Sequence, residues 1–315
     1  MLSSSSESCY PSSNVKFSIT KNTRLWFTLS ILLVGTSLVL LLYPGLKLGI
    51  DFTGGTLIEL SFDEGAEKSQ VEEAFASFAT ANEIDTGQPF ILKTSEGGFI
   101  IRIKEITNEA HVTLQSHLTE TIGAFTEQRF TTIGPTVGET LKSRSLWALI
   151  TAATVMVLYI AFAFRNIPRK LNPWKFGIIA VIALLHDILI TLGIFVLVGM
   201  FTSFEVNTLF ITALLIILGY SVNDTIVVFD RVRENVFHQD RGDSFQVVAE
   251  RGLQQSIARS INTSLSTLIP LFALYFFGAE SIQWFVLTLI VGLAIGTYSS
   301  LFLATPLLVY WRKRT

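Results

Sequence analysis

Phe176-Gly-Ile-Ile-Ala-Val-Ile-Ala-Leu-Leu-His186-Asp187-Ile-Leu-Ile-Thr-Leu-Gly-Ile-Phe-Val-Leu-Val-Gly-Met-Phe201 is the stretch on which the reading of the fold turns. Apart from a few polar residues at its middle it is apolar for longer than the roughly 20 residues that cross a bilayer at about 1.5 Å per residue. The whole chain agrees with it. Of 315 residues 50% are apolar and only 15% charged, with 25 Phe, against about a quarter charged in soluble proteins. Mean hydropathy is +0.52. Working outward, five more runs of similar character lie at 25–43, 145–164, 206–229, 256–278 and 282–311. The chain is therefore predicted to be a polytopic α-helical membrane protein with six transmembrane helices, and the last run is long enough to tilt.

The basic residues set the expected orientation. Of the 23 Lys and Arg, 15 fall before the first run, between runs two and three, between or at the edges of runs four and five, or after run six. The short connections after runs three and five hold Glu205 and Glu280 but no Lys or Arg. Both termini, 1–24 and 312–315, are accordingly predicted to be cytoplasmic. Run one has a basic lead-in like a signal peptide. It exceeds a usual signal core, however, and Tyr43-Pro44-Gly45 after it is no small-residue cleavage pattern, so it reads as an uncleaved anchor. Residues 2–13 are Ser-rich and too polar to bury a core, so a disordered tail is expected. A formal charge of −2 argues against a nucleic-acid partner, and the single cysteine, Cys9, excludes a disulfide framework. The four histidines lack HExxH spacing. No cofactor, metal or enzymatic step is expected.

Residues 44–144 form the one large loop, expected on the outer side, and carry 15 of the 25 acids. Alternation over 56–62, helical spacing over 69–79, a hairpin of 90–93 and 99–106 across Glu96-Gly97-Gly98, a helix over 109–125 and a strand over 129–133 give βαββαβ. That order predicts a ferredoxin-like α+β domain. Its carboxylates are scattered and read as solvated acidic surface. The preceding Gly49-Ile-Asp51-Phe-Thr-Gly54-Gly55 lacks the Lys of a phosphate-binding loop, so its glycines are read as a sharp exit from the membrane into the first strand.

Ionisable groups inside a bilayer cost about 2.5 kcal/mol or more and are functional candidates for that reason. Asp187 lies about 16 Å beyond Phe176, near the bilayer middle, and Asp224 about 7 to 8 Å inside the same boundary. Arg259 sits at a depth similar to Asp224, followed by Ser260, Asn262, Thr263, Ser264, Ser266 and Thr267, while Tyr220, Ser221 and Asn223 surround Asp224. Burial raises a carboxyl pKa and a nearby Arg lowers it, so changing contact could load and unload a proton on Asp224. The alternative is an Asp–Arg pair that only fixes helix packing. His186 with Asp187 is either a proton stop or a hydrogen-bonded pair, and Asp230 with Arg231 can be an anchor at the helix exit. Gly292-Leu-Ala-Ile-Gly296 reads as close helix packing.

Taken together, Leu48-Gly-Ile-Asp-Phe-Thr-Gly-Gly55, His186-Asp187, Gly219-Tyr-Ser-Val-Asn-Asp-Thr-Ile-Val-Val-Phe-Asp-Arg231 and Ser256-Ile-Ala-Arg-Ser-Ile-Asn-Thr-Ser264 resemble the SecF family of the SecD-SecF protein-export accessory complex, within the RND superfamily. The resemblance runs from about Arg24 to Trp311. It implies a multi-pass subunit of the plasma (inner) membrane, in contact with lipid, that works with SecD at the SecYEG channel and uses proton flow to help complete translocation of unfolded polypeptide. It implies proton conduction by Asp224 and Arg259, and by extension Asp187, with His186, Asn223 and Asp230 as supporting polar groups. The competing expectations are a scaffold that conducts nothing and a small-molecule exporter of the wider superfamily.

Overall fold

The structure, a computed structural model, describes residues 19–63, 65–94, 97–165, 173–238 and 242–313. The expected N-terminal tail, and Lys16, Glu96, Arg169, Lys170, Arg241 and Arg314, lie outside the described residues. Six helical segments are long and apolar enough to cross a membrane: α1 (Thr23–Leu42), α5 (Pro135–Ala163), α6 (Pro173–Phe201), α7 (Thr208–Phe237), α8 (Phe245–Phe277) and a last span assembled from several pieces. That span opens with a 3-10 turn at Glu280–Ile282 and runs as α9 (Gln283–Ser299), a π turn at Ser300–Ala304 and α10 (Thr305–Lys313). The protein is a multi-pass membrane protein. α6, α7 and α9 form its centre, while α1, α5 and α8 show most of their surface outward.

Several helices run further than hydropathy indicates. α5 starts at Pro135, not Ser145, with the proline at a first-turn position where its missing N–H costs nothing. α7 continues to Phe237 and α8 begins at Phe245. Arg231, Arg233 and Arg251 end an apolar run without ending a helix, because charged side chains leave the backbone hydrogen-bond ladder intact. The Gly292/Gly296 pair does pack closely, as its spacing predicts. A Cβ on Gly292 would strike Ile217, and one on Gly296 would lie 3.2 Å from Ser221 Cβ, both residues on α7.

Between α1 and α5 the expected βαββαβ domain is present: β1 (Gly55–Phe62), α3 (Lys68–Ala81), β2 (Phe90–Lys93), β3 (Phe99–Ile103), α4 (Asn108–Thr121) and β4 (Phe125–Ile133). The sheet is antiparallel in the order β2-β3-β1-β4, so each βαβ unit is split by a strand of the other, the ferredoxin-like arrangement. Ile58 and Leu60 of β1, Phe99 and Ile101 of β3, Val71, Phe75 and Phe78 of α3, and Leu114 and Leu118 of α4 fill the layer between sheet and helices. Two boundaries differ from expectation. α4 stops at Thr121 because Gly123 (φ +130°) turns the chain, which frees Phe125 to pair with Phe62 and start β4 well before Arg129. β3 ends at Ile103, opposite Thr56.

The glycine-rich segment joins the sheet domain to the bundle. Residues Ile50–Thr53 form a single helical turn, α2. Gly54 (φ +74°) then turns the chain so closely past α5 that a Cβ there would sit 2.9 Å from Pro135 Cα. A Cβ on Gly138 would lie 2.9 Å from Gly54 N. The segment thus makes the sharp exit expected of it and also clamps the start of α5. Its acid has a partner that sequence reading misses. Asp51 Oδ2 accepts from Thr208 N at 2.8 Å and Thr208 Oγ1 at 2.7 Å, at the N-terminus of α7, where a negative charge is favoured. Gly49 N–H donates to Val206 O and Val206 N–H to Lys47 O, both at 2.8 Å. A further tie runs from β3, where Arg102 pairs with Glu205 in the α6–α7 connection. Burial pushes the Arg102 guanidinium down to about 10, so it still meets Glu205 as a cation at neutral pH.

Asp51→Ala is expected to lower the stability of the detergent-solubilised protein by about 1 kcal/mol, the worth of a helix cap, while Asp51→Asn retains most of it. Thermal melts of the two variants against the parent check this, and equal losses would contradict the capping role.

Candidate functional site

Two carboxylates lie inside the bundle, Asp187 at 1% exposure and Asp224 at 5%. Among the described residues neither pairs with a Lys or Arg. Asp187, on α6, is met by hydroxyls from two other helices. Its Oδ2 accepts from Ser221 Oγ of α7 at 2.5 Å and from Ser299 Oγ of α9 at 2.7 Å. Its Oδ1 lies 2.9 Å from His186 Nδ1. Asp224, on α7, accepts on Oδ1 from Ser260 Oγ of α8 and on Oδ2 from Ser300 Oγ at the start of the π turn. Ser221 and Asp224 stand three residues apart on α7 and so share a face. The neighbours Ser299 and Ser300 each serve a different acid.

A hydroxyl can donate or accept. Either protonation state of Asp224 therefore finds partners in Ser260 and Ser300, and a proton can be added or removed without orphaning a buried polar atom. Hydroxyls continue from Asp224 along the α7/α8/α9 seam. Ser264 Oγ bonds Ser260 O at 2.9 Å and lies 2.6 Å from Thr297 Oγ1, and Tyr220 Oη donates to Ser264 Oγ at 3.1 Å. Beyond Asp187, the His186 ring stacks on Tyr298 with centroids 6.0 Å apart, and Tyr298 Oη lies 3.1 Å from Ser30 Oγ of α1. His186 Nε2 is buried without a hydrogen-bond partner among the described residues.

The other residues singled out by sequence are placed differently. Arg259 precedes Ser260 on α8, yet its side chain is exposed and makes no ion pair among the described residues. Matching depth brings the helices together at Ser260, not at Arg259, because adjacent helical residues point about 100° apart. Asn223 is exposed on α7 and does not join the Asp224 cluster. Asp230 is exposed and pairs with Arg233 at 2.9 Å, while Arg231 pairs with Glu234 at 2.6 Å, and all four lie within α7, which continues to Phe237. Ser299 and Ser300 are the residues sequence reading missed. A Ser-Ser pair inside an apolar span was the available signal, but hydroxyls commonly bond their own helix backbone and the pair does not stand out. Among the described residues no cluster of three or more His, Cys, Asp or Glu offers a metal site.

Asp187→Ala removes the acceptor of Ser221 Oγ, one of the two acceptors of Ser299 Oγ and the partner of His186 Nδ1, and is expected to cost roughly 2–4 kcal/mol. Asp230→Ala removes only an exposed pair and should cost about 0.5 kcal/mol or less. Melting curves in detergent separate the two, and equal shifts would contradict a structural role for the Asp187 cluster.

The geometry has close relatives. Residues 113–314 match the family described as Protein export membrane protein SecD/SecF, C-terminal, and residues 39–66 match the SecD/SecF GG Motif. Protein translocase subunit SecF of Thermobaculum terrenum is 40% identical over 298 residues, covering 92% of each chain. The same subunit of Desulfurispirillum indicum is 38% identical over 294 residues, 90% of this chain and 88% of that one. The crystal structure of SecDF, a translocon-associated membrane protein from Thermus thermophilus, superposes with a TM-score of 0.79 at 29% identity. The match covers 96% of this chain and 39% of that longer one. With its GG segment clamped between sheet domain and bundle, and its sequence aligned over nine-tenths of those subunits, the chain belongs to the SecF family of protein translocase subunits.

Proposed function

We propose that this chain works beside SecD at the SecYEG channel of the inner membrane and uses the proton gradient to promote late translocation of unfolded polypeptide. It does so as a proton-coupled member of the RND superfamily with both termini cytoplasmic, and the reading assigns it no enzymatic step. Asp224 takes up and releases the proton, Arg259 is the cation that biases it, and Asp187 is a second acid in the path.

The observation that carries the reading is the opposed placement of Asp224 and Arg259. Asp224 is buried at the α7/α8/α9 contact in a hydroxyl cage suited to both protonation states. Arg259, adjacent to the cage residue Ser260, opens to the outside of the bundle together with Asn262, Thr263 and Ser266. These four fall at i, i+3, i+4 and i+7, one stripe of α8. An arginine turned to lipid costs roughly 2.5–3.5 kcal/mol, so the stripe calls for a protein neighbour. The chain spans 39% of the SecDF chain it resembles, and a SecD partner is where such a neighbour comes from. One charge crossing the membrane is worth about 2.3 kcal/mol per 100 mV. Asp51, capping α7 at its other end, gives motion of that helix a direct hold on the sheet domain.

In vesicles carrying the complete export machinery, Asp224→Asn is expected to abolish the proton-dependent part of export at unchanged abundance, and Arg259→Met to reduce it at least about tenfold, the effect of about 1.4 kcal/mol. Export that persists at full membrane potential in Asp224→Asn would overturn the reading. A loss that follows only the amount of subunit in a quantified blot would favour the non-conducting scaffold.

A further inference from the structure

The π turn at Ser300–Ala304 begins at the residue that holds Asp224. Up to that point the last span keeps α register: Ser300 N–H bonds Gly296 O, and Ser299 Oγ and Ser300 Oγ lie 3.1 and 3.0 Å from Gly296 O and Thr297 O. From Thr305 the α register resumes. A π turn holds one residue more than an α turn, and such bulges concentrate at functional sites. In an otherwise helical span the surplus residue can sit on either side of the serine pair.

We propose that Ser299, Ser300 and Leu301 are positioning residues for the proton step at Asp224, acting through a register shift of this π turn that exchanges a hydroxyl for an alkyl group against the carboxylate. Moving the surplus residue to the N-terminal side of Ser299 turns the pair by one residue's step, about 100°. Ser300 then takes the place of Ser299 opposite Asp187, and Leu301 takes the place of Ser300 opposite Asp224. Asp187 keeps a serine in both registers. Asp224 keeps only Ser260 in the shifted one and faces a side chain that packs now with Ile19, Val228 and Leu253. A carboxylate stripped of a donor beside leucine is costly, whereas a neutral carboxyl is tolerated. The shifted register therefore suits protonated Asp224, and the observed one admits both states. The titratable side chains of the same network are His186 beside Asp187, Tyr298 stacked on His186, Tyr220 bonded to Ser264, and Arg259 on the outward side of α8. None of them belongs to residues 299–304, so the turn itself carries no charge that would move with it.

The inference rests on Asp224 carrying the proton, and the two can fail separately. Backbone hydrogen exchange of the full chain, reconstituted with its partner subunit, is measured across residues 292–308 for the parent and for Asp224→Asn, a stand-in for the neutral acid. The expected result is that protection is lost over 295–299 and gained over 300–304 in the variant. Deleting Phe302 removes the surplus residue and should make exchange insensitive to Asp224→Asn and cut proton flux about tenfold or more, the worth of one mispositioned hydrogen bond or greater. Should the deletion fail to assemble, Leu301→Ser supplies a hydroxyl in either register and is expected to blunt the difference between parent and Asp224→Asn. An exchange pattern that ignores Asp224→Asn, with flux still lost in that variant, overturns the register shift and leaves the proton role standing. Flux that survives Asp224→Asn overturns the proton role itself.

Discussion

Two carboxylates in an apolar bundle must each be met by donors, and the helices of this protein are arranged around that requirement. Asp187 draws α7 and α9 to α6 through Ser221 and Ser299, and Asp224 draws α8 and the π turn to α7 through Ser260 and Ser300. Small residues make the approach possible. Gly292 and Gly296 bring α9 onto α7 at Ile217 and Ser221, so the hydroxyl that serves Asp187 sits where the two helices pack closely. In a medium without water an orphaned polar group costs several kcal/mol, so helix arrangements that break these few hydrogen bonds are disfavoured.

α7 links this interior to the sheet domain. Its first turn is capped by Asp51, and Asp224 follows on the same rigid element about 24 Å away at 1.5 Å per residue. The connection before α7 is tied to β3 through Arg102 and Glu205 and to the GG segment through Val206. A displacement of α7 therefore reaches β1, β3 and the start of α5 through hydrogen bonds and an ion pair rather than through a flexible linker. Gly54 owes its place to that clamp, since it and Gly138 lie where the backbones of α2 and α5 touch, whereas Gly55 is held by the close approach of Ile103 O on β3.

Much of this was legible in the residues. Six apolar runs, the βαββαβ order and the close packing at Gly292 and Gly296 follow from periods of hydrophobicity and from turn chemistry, which are local. Helix ends were less legible. α5, α7 and α8 extend past the apolar zone on charged residues that hydropathy reads as loop, and Gly123 moved the start of β4. Asp187 and Asp224 stood out because charge inside a bilayer is rare. Their partners did not, because a serine in an apolar span looks the same whether it bonds its own backbone or a carboxylate on another helix.

By itself the sequence determined that the chain spans a membrane, that one α+β domain stands between its first two spans, and that Asp187 and Asp224 are buried within it. Those conclusions need only composition and spacing, which the chain carries along its length. The tertiary structure alone decided which side of each helix faces inward. It turned Arg259 outward and its neighbour Ser260 toward Asp224, made Asp51 a cap for α7, and set Ser299 and Ser300 against two different acids. Such choices depend on helix rotation and on the register of a π turn, where a single residue's step of about 100° exchanges one neighbour for another, and rotation is fixed by packing between segments far apart in the chain.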